Sequence, residues 1–227
     1  MLLIAGSGRS GTSAVARMLH EAGMPVGHDL IGPDESNAEG YFEERAVVEV
    51  NDAILNDVGL NAWFATASRE DILRAADARG EAMAALAANA TPAWKDPRFS
   101  WTLEAWLRHL AEKPRVIVCL RSPAEVVAST LRYYGQEGRE PARAVEHTWR
   151  TEYERLLEII EEFRIDAMCV EFGRLYRYPE RTAAEIGEFA GLTLDASKIR
   201  RDLRHHTKRV PVRLREVYEH VRSLGRD

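Results

Sequence analysis

The chain has 227 residues, of which 45% are hydrophobic and 30% charged, and its formal net charge is −5. A chain of this length can bury one good hydrophobic core, so we expect one domain over residues 1–227. The acidic balance disfavours a general nucleic-acid-binding protein. No apolar run reaches the roughly 18 residues of a membrane span. We therefore expect a cytoplasmic protein with no membrane span and no nucleic-acid partner.

The chain contains two cysteines, Cys119 and Cys169. Both lie inside apolar runs that are typical of buried strands. The pattern predicts two reduced thiols in the core and neither a disulfide nor a metal site.

Short β-rich runs alternate with longer helical patterns along the chain. This alternation is typical of an α/β fold, a three-layer sandwich around a mainly parallel sheet. The predicted strands cover residues 2–5, 93–95, 115–120 and 167–171. The predicted helices cover about 12–21, 42–59, 68–89, 100–112, 123–134, 142–163 and 179–190. Ser68 is the expected N-cap of the third of these helices, with Asp71 as its capping-box acid.

The segment GSGRSGTS, Gly6 to Ser13, follows the first strand and opens the first helix. In this context a glycine-rich turn predicts a phosphate-binding loop, because backbone N–H groups at a helix N-terminus favour an anion. Nucleoside triphosphate loops carry a lysine where this chain has Thr12, and Arg9 is the one cation inside the loop. The alternative interpretation is an ordinary strand-to-helix turn.

The run Arg9-Ser10-Gly11-Thr12-Ser13 resembles the 5′-phosphosulfate loop of sulfotransferases that use 3′-phosphoadenosine 5′-phosphosulfate (PAPS). A second segment, VIVCLRSPAEVVAS, resembles their 3′-phosphate site, where an arginine ends a strand and a serine follows eight residues later. Here these residues are Arg121 and Ser129. An arginine at the carboxyl end of a strand faces the crevice in which α/β sheets bind ligands, and its planar guanidinium group suits a phosphate. Taken singly, each could instead be a surface salt bridge or a helix-surface hydroxyl.

Three further segments are similar to members of the same family. Trp94 to Arg98 resembles a Lys-Asp-Pro segment in which the lysine points at the transferring group. Asn37 to Glu43, NAEGYFE, resembles an N-x-x-G-aromatic-aromatic-E motif of bacterial members. Val170 to Leu192 is similar to the C-terminal stretch of the superfamily, although Phe172-Gly173-Arg174 departs from it.

The resemblance implies a sulfotransferase fold and a metal-independent, in-line transfer of a sulfuryl group from PAPS to a hydroxyl or amine, leaving 3′,5′-adenosine bisphosphate (PAP). It implies that Arg9 and Lys95 stabilise charge on the leaving phosphate. The implied nucleotide-binding residues are Gly8, Arg9, Ser10, Gly11, Thr12, Ser13, Arg121 and Ser129. No metal ligand is implied.

A hydroxyl acceptor also needs a general base. We favour Glu43, because it matches the NAEGYFE motif, and place Glu39 next, since it could share a helical face with Glu43. The other candidates are His28, Asp34, Glu35 and Glu44. For any one of these acids, a solvated carboxylate is an equally good interpretation.

Several points stay open in the sequence. Trp63, Trp101, Trp106 and Trp149 fit a core role, whereas Trp94 or Phe99 could stack on adenine or belong to the core. The basic segment 198–215 could close over the nucleotide through Arg200, Arg201 or Arg204, form a solvated face, or bind an acidic acceptor.

The acceptor could be a small molecule, a carbohydrate or a peptide, and the oligomeric state is not readable. We expect three segments to line the acceptor site: residues 26–41, the helical insert 60–91 and residues 133–150. Two other functions compete: a small-molecule kinase with Glu171 as a metal ligand, and a nucleotide-binding module without catalysis.

Overall fold

A single parallel sheet organises the fold. The computed structural model describes residues 1–34, 37, 39–60, 65–199 and 210–225. The strands are β1 (Leu2–Ala5), β2 (Ala93–Lys95), β3 (Arg115–Leu120) and β4 (Ala167–Glu171). They are all parallel and lie in the order β2-β1-β3-β4. The strand bounds and the parallel α/β class are those predicted from the sequence.

Ten α-helices connect and cover these strands in the described part of the chain. They are α1 (Thr12–Glu21), α2 (Arg45–Asp57), α3 (Arg69–Asp77), α4 (Gly80–Ala88), α5 (Phe99–Leu107), α6 (Pro123–Tyr133), α7 (Arg139–Glu162), α8 (Phe172–Arg177), α9 (Pro179–Ala190) and α10 (Arg215–Ser223).

Helices cover both faces of the sheet, which makes three layers. Successive strand residues point to opposite faces, and β1 shows this directly. Leu3 and Ala5 pack into one core with side chains of α2 to α7 and α10, whereas Leu2 and Ile4 pack into a second core with α1, α8 and α9. All four of these side chains are buried, as expected for a parallel sheet covered on both sides.

The helix bounds correct several predictions. The run predicted as one helix over 68–89 is two helices, because the chain turns at Ala78 and Arg79. The helix predicted to begin near residue 42 begins at Arg45, and α7 begins three residues earlier than predicted. Helices α8 and α10 were not predicted. The predicted cap is confirmed, since the Ser68 side chain accepts a hydrogen bond from the Asp71 amide at 3.0 Å.

The aromatic side chains and cysteines fill the two cores. Trp101, Trp106 and Trp149 are buried as predicted, and Trp94 and Phe99 are buried too, so neither is available to stack on adenine. Trp63 lies outside the described residues.

Both cysteines are buried and neither forms a disulfide, as predicted. Among the helices that the structure describes, none is long and apolar enough to cross a bilayer.

Candidate functional site

The predicted site residues lie where the four strands end. The carboxyl ends of parallel strands share one edge of a sheet, and ligands of α/β proteins bind in the crevice there. The glycine-rich loop follows β1, Lys95 ends β2, Arg121 follows β3, and Phe172 follows β4. Since β1 lies between β2 and β3, the loop is flanked by Lys95 on one side and by Arg121 on the other.

The loop has the backbone of an anion cradle. Gly6 and Gly11 have positive φ values of 139° and 93°. A Cβ at Gly6 would lie 2.4 Å from the Cys119 carbonyl oxygen, and one at Gly11 would lie 2.4 Å from Cδ2 of Phe172. Gly11 precedes α1 without a side-chain cap, and the Ala14 amide already bonds to the Gly11 carbonyl at 3.1 Å. The amides of Thr12 and Ser13 are therefore the ones left for a ligand. This arrangement suits a phosphate-sized anion.

Arg9 links the loop to the arginine–serine segment. Its Nε donates a hydrogen bond to the Ser129 hydroxyl at 3.2 Å. Its carbonyl accepts one from Nη1 of Arg121 at 3.1 Å. Arg9 adopts a left-handed φ of 65°, a conformation that costs a non-glycine residue about 1 kcal/mol or more. The structure thus brings together Arg9, Arg121 and Ser129, three residues that the sequence assigned to one nucleotide.

Arg121 is buried and firmly oriented. Its guanidinium lies 4.2 Å from the centroid of the Phe172 ring, and its Nε donates to Glu125 at 3.3 Å. Burial lowers the pKa of Arg121, and the Glu125 carboxylate opposes that effect. Phe172 therefore supports Arg121, and it also packs close to the loop, since a Cβ at Gly11 would lie 2.4 Å from its ring. In the sequence, Phe172 is part of a segment that departs from the family pattern, and that departure did not indicate this role.

Tyr153 of α7 supports the loop by hydrogen bonds, a role that no sequence motif indicated. Its hydroxyl donates to the Cys119 carbonyl at 2.6 Å and lies 3.1 Å from the Ser10 hydroxyl. Burial raises the pKa of Tyr153 well above its usual range, so the phenol stays neutral and can donate.

Lys95 and Glu43 form a buried ion pair beside the loop. Lys95 is 2% exposed and Glu43 is 5% exposed. The Lys95 ammonium bonds to Oε1 of Glu43 and also donates to the Ser13 hydroxyl at 3.2 Å. Asn37 approaches the same Ser13 hydroxyl at 3.5 Å and donates to the Gly40 carbonyl at 2.6 Å. Two residues of the NAEGYFE motif therefore contact the site: Asn37 contacts Ser13 of the loop, and Glu43 contacts Lys95.

A polar network behind this pair fixes its geometry. Arg98 bonds to Oε2 of Glu43 at 3.4 Å and to Asp96 at 3.0 Å. Asp96 is fully buried and accepts from the Asn51 amide at 2.8 Å. Burial raises the pKa of Glu43, whereas Lys95 and Arg98 lower it and Asp96 raises it further. Arg98 and Asn51 are site-supporting residues that the sequence analysis did not single out.

The other candidate bases that the structure describes bond to groups other than Lys95. Glu39 does not share a helical face with Glu43, because α2 begins only at Arg45; it pairs with Arg17 at 2.7 Å.

The remaining candidates serve local structure in the same segment. Glu44 accepts from the backbone amides of His28 and Asp29. The His28 ring lies 3.1 Å from the Asn89 carbonyl, and Asp34 accepts from Tyr41 at 2.8 Å. Glu35 lies outside the described residues, and so do Arg200, Arg201 and Arg204 of the basic segment.

A cavity of about 410 Å³ opens beside the first half of the loop. Its polar walls come from the loop, the end of α6 and α7: Ser7, Gly8, Thr130, Tyr134, Thr148 and Glu152. The lining includes members of two segments expected to hold the acceptor, namely Leu60 from 60–91 and Gln136 from 133–150. None of the described residues of the third segment, 26–41, lines it.

Glu152 is a buried acid on this cavity wall. Its Oε1 accepts from the Trp101 indole at 3.3 Å, while its Oε2 has no hydrogen-bond partner among the described residues. Burial raises the pKa of Glu152 to about 7, although the Ser7 hydroxyl and the Trp101 indole lower it. No sequence motif indicated Glu152, although its position in the apolar stripe of α7, three residues after Trp149, was a signal.

A larger groove of about 1310 Å³ runs along the outer edge of β4. None of the predicted nucleotide-binding or catalytic residues lines it. Its charged side chains largely neutralise one another, as in the pairs Arg115–Asp166 and Arg174–Glu185. Glu171, the metal ligand of the kinase alternative, lines this groove. Within the described ranges, no group of three or more His, Cys, Asp or Glu side chains is arranged to hold a metal ion.

Comparison with known proteins agrees with this architecture. A family model described as the sulfotransferase family matches residues 2–196. A search of curated protein sequences finds no match.

Two solved structures share the fold. A sulfotransferase domain from the Synechococcus PCC 7002 olefin synthase aligns with a TM-score of 0.52 and 18% identity, over 96% of this chain and 93% of that one. A sulfotransferase domain from the curacin biosynthetic pathway aligns with a TM-score of 0.51 and 17% identity, over 99% of this chain and 82% of that one. At these identities, the likeness concerns the fold.

Proposed function

We propose that this chain, which belongs to the sulfotransferase family, transfers a sulfuryl group from PAPS to a hydroxyl or amine of an acceptor and releases PAP. The observation that carries the proposal is the convergence of the glycine-rich loop, Lys95 and the Arg121–Ser129 segment at one sheet edge, with Arg9 bonded to Ser129.

The loop suits a phosphosulfate better than a nucleoside triphosphate. Thr12 stands where a triphosphate loop has its lysine, so fewer positive charges face the anion. Arg9 inside the loop and Lys95 beside Ser13 supply two cations. The donor set is therefore backbone amides, hydroxyls and two cationic side chains, which matches a 5′-phosphosulfate of lower charge. Gly6 and Gly11 let the loop backbone pack closely against the Cys119 carbonyl and the Phe172 ring.

Arg121 and Ser129 would hold the 3′-phosphate. Arg121 follows β3 and is oriented by Phe172, Glu125 and the Arg9 carbonyl. A guanidinium fixed in this way loses little freedom when it binds a phosphate. Because Arg9 touches Ser129, the two phosphate sites of the nucleotide would share one hydrogen-bonded frame.

Lys95 and Arg9 would stabilise the negative charge that grows on the leaving 5′-phosphate oxygen as the S–O bond breaks. Preorganised cations in a desolvated site are effective in this role. Glu43 would accept the proton that the acceptor hydroxyl loses as its oxygen bonds to sulfur. Its contact with Lys95 favours it over Glu39, which pairs with Arg17.

The two alternatives find less support. A kinase would need an acid near the loop to hold the Mg²⁺ that bridges the β- and γ-phosphates. Glu171 instead lines the groove at the outer edge of β4. A module without catalysis would not need the Lys95–Glu43 pair. Burying these two charged groups costs desolvation free energy, which favours a catalytic role for them.

The proposed transfer is tested by incubating the protein with ³⁵S-labelled PAPS and separate pools of phenols, sugars and peptides, in buffer containing EDTA. Labelled acceptor and stoichiometric PAP are expected from one of the pools. A parallel reaction uses γ-³²P-labelled ATP with Mg²⁺. Phosphorylated product from ATP, without sulfated product from PAPS, would establish the kinase instead.

A further inference from the structure

We propose that Glu152 selects the acceptor, and that the acceptor is a small molecule carrying a protonated amine. This rests on the proposed sulfuryl transfer, because the cavity that Glu152 lines borders the loop at Ser7 and Gly8. An acceptor must reach that loop to attack the donor.

The cavity has the dimensions of a small-molecule site. Its volume of about 410 Å³ falls within the roughly 300–1,000 Å³ of ligand pockets. Val126, Val145 and Leu60 supply apolar walls, and Thr148 and Gln136 supply polar groups. This mixture fits a compact, partly apolar molecule with few polar groups.

Glu152 gives this cavity a chemical preference. The residue is 9% exposed, and its Oε2 has no hydrogen-bond partner among the described residues. None of the ion pairs found within the described ranges includes Glu152. Burial without a counter-charge disfavours the ionised form of this carboxyl group. A neutral apolar ligand would not relieve that penalty.

An ammonium group in the cavity would supply a counter-charge and N–H donors to the Glu152 carboxyl group. Burial already favours the protonated acid, so a cation in the cavity would draw Glu152 into its ionised form. The ammonium would lie near the hydroxyl that is sulfated, because a protonated amine has no lone pair with which to attack sulfur. Selectivity would then arise from one carboxyl group on the cavity wall.

The test compares two phenols of nearly equal shape, tyramine and 4-propylphenol, which differ by an ammonium in place of a terminal methyl. Their dissociation constants are measured by titration calorimetry at about pH 8, with PAP present, where the amine is protonated. The proteins are the wild type, Glu152→Gln, and Glu154→Gln as a matched control. Glu154 lies on the same helix and pairs with Arg150 at the surface at 2.6 Å.

We expect the wild type and Glu154→Gln to bind tyramine about ten-fold or more tightly than 4-propylphenol. In Glu152→Gln this preference is expected to vanish through loss of tyramine affinity. A merely structural role of Glu152 would change both affinities together and leave their ratio intact. Equal binding of the two phenols to the wild type, binding of neither, or a preference that survives in Glu152→Gln would overturn the proposal.

PAP binding, measured alone in the same three proteins, separates this proposal from the proposed function. If PAP binds and the amine preference is missing, only the assignment of Glu152 fails. If PAP does not bind the wild type, the proposed sulfuryl transfer fails.

Discussion

The side chain of Arg9 donates a hydrogen bond to the hydroxyl of Ser129 at 3.2 Å, across 120 residues of sequence. Arg9 belongs to the glycine-rich loop after β1, and Ser129 lies on α6 after β3. The bond joins two segments of the chain, each of which resembles a different sulfotransferase motif. It gives the proposed nucleotide site a single frame, in which the 5′ and 3′ ends of the ligand would be held by connected groups.

Replacing Lys95 by methionine is expected to lower kcat for sulfuryl transfer by about 10²–10³-fold, because one cation at the leaving oxygen is lost. The same change leaves Glu43 buried without its nearest cation, so the free energy of unfolding should fall by about 3 kcal/mol. Activity and thermal unfolding are measured together. Lys113→Met, at an exposed site, should alter neither, and an unchanged kcat in Lys95→Met would remove Lys95 from the mechanism.

Replacing Glu43 by glutamine tests the general base. A base acts in its ionised form, so the wild-type rate should rise with pH through the pKa of Glu43, which burial raises above the usual carboxyl value. The variant should lose this limb of the pH–rate profile and about 10²–10⁴-fold in kcat for a hydroxyl acceptor. Glu39→Gln is the comparison. If it alone removes the limb, Glu39 is the base.

Gly11 and Gly8 should respond differently to alanine. Gly11 has a φ of 93°, and a Cβ there would lie 2.4 Å from Phe172. We expect Gly11→Ala to lower the free energy of unfolding by at least about 1–2 kcal/mol and to weaken PAP binding, because Phe172 also supports Arg121. A Cβ at Gly8 meets nothing within 4 Å, so Gly8→Ala should keep the wild-type melting temperature. Equal melting temperatures for the two variants would contradict the packing described.

Glu152 should make stability fall as pH rises. Its pKa is about 7 in the folded protein and near 4.5 when unfolded, so between these values the folded state binds more protons. The free energy of unfolding therefore decreases from about pH 4.5 to 7, by roughly 3 kcal/mol in all. Glu152→Gln lacks this term.

Denaturant unfolding across this range, compared between wild type and Glu152→Gln, measures the effect directly. The stability of the variant relative to the wild type should grow by that amount toward about pH 8. Glu154→Gln serves as the control. A constant difference across the range would show that Glu152 titrates as an ordinary carboxyl.

The sheet and the loop were predictable because their signals are local. The strand run Arg115–Leu120, for example, is apolar after its first residue, and the glycine spacing of the loop is typical of a phosphate-binding turn. The break at Ala78 and Arg79 had only a weak local signal, since Gly80 is the one poor helix former near it in a run from Ser68 to Asn89 that is otherwise rich in helix formers. Tertiary packing of α3 and α4 decides that boundary.

The partners of the site residues were less predictable, because they come from distant elements. Phe172 supports Arg121 across the β3–β4 pair, and Tyr153 reaches the Cys119 carbonyl from α7. Such contacts depend on helix positions that a periodic pattern does not specify. For Glu39 the local pattern was misleading. Its spacing from Glu43 predicted a shared helical face, but residues 39–44 are not helical, because α2 begins at Arg45.

The most direct test of the central proposal is titration calorimetry with PAP, 5′-AMP and ATP–Mg²⁺ on the wild type, Arg121→Ala and the surface control Arg132→Ala. The proposal predicts that the wild type and the control bind PAP about ten-fold or more tightly than 5′-AMP. It also predicts that Arg121→Ala binds the two alike. Equal affinity of the wild type for PAP and 5′-AMP, or a preference for ATP–Mg²⁺, would contradict a 3′-phosphoadenosine site at Arg121 and Ser129.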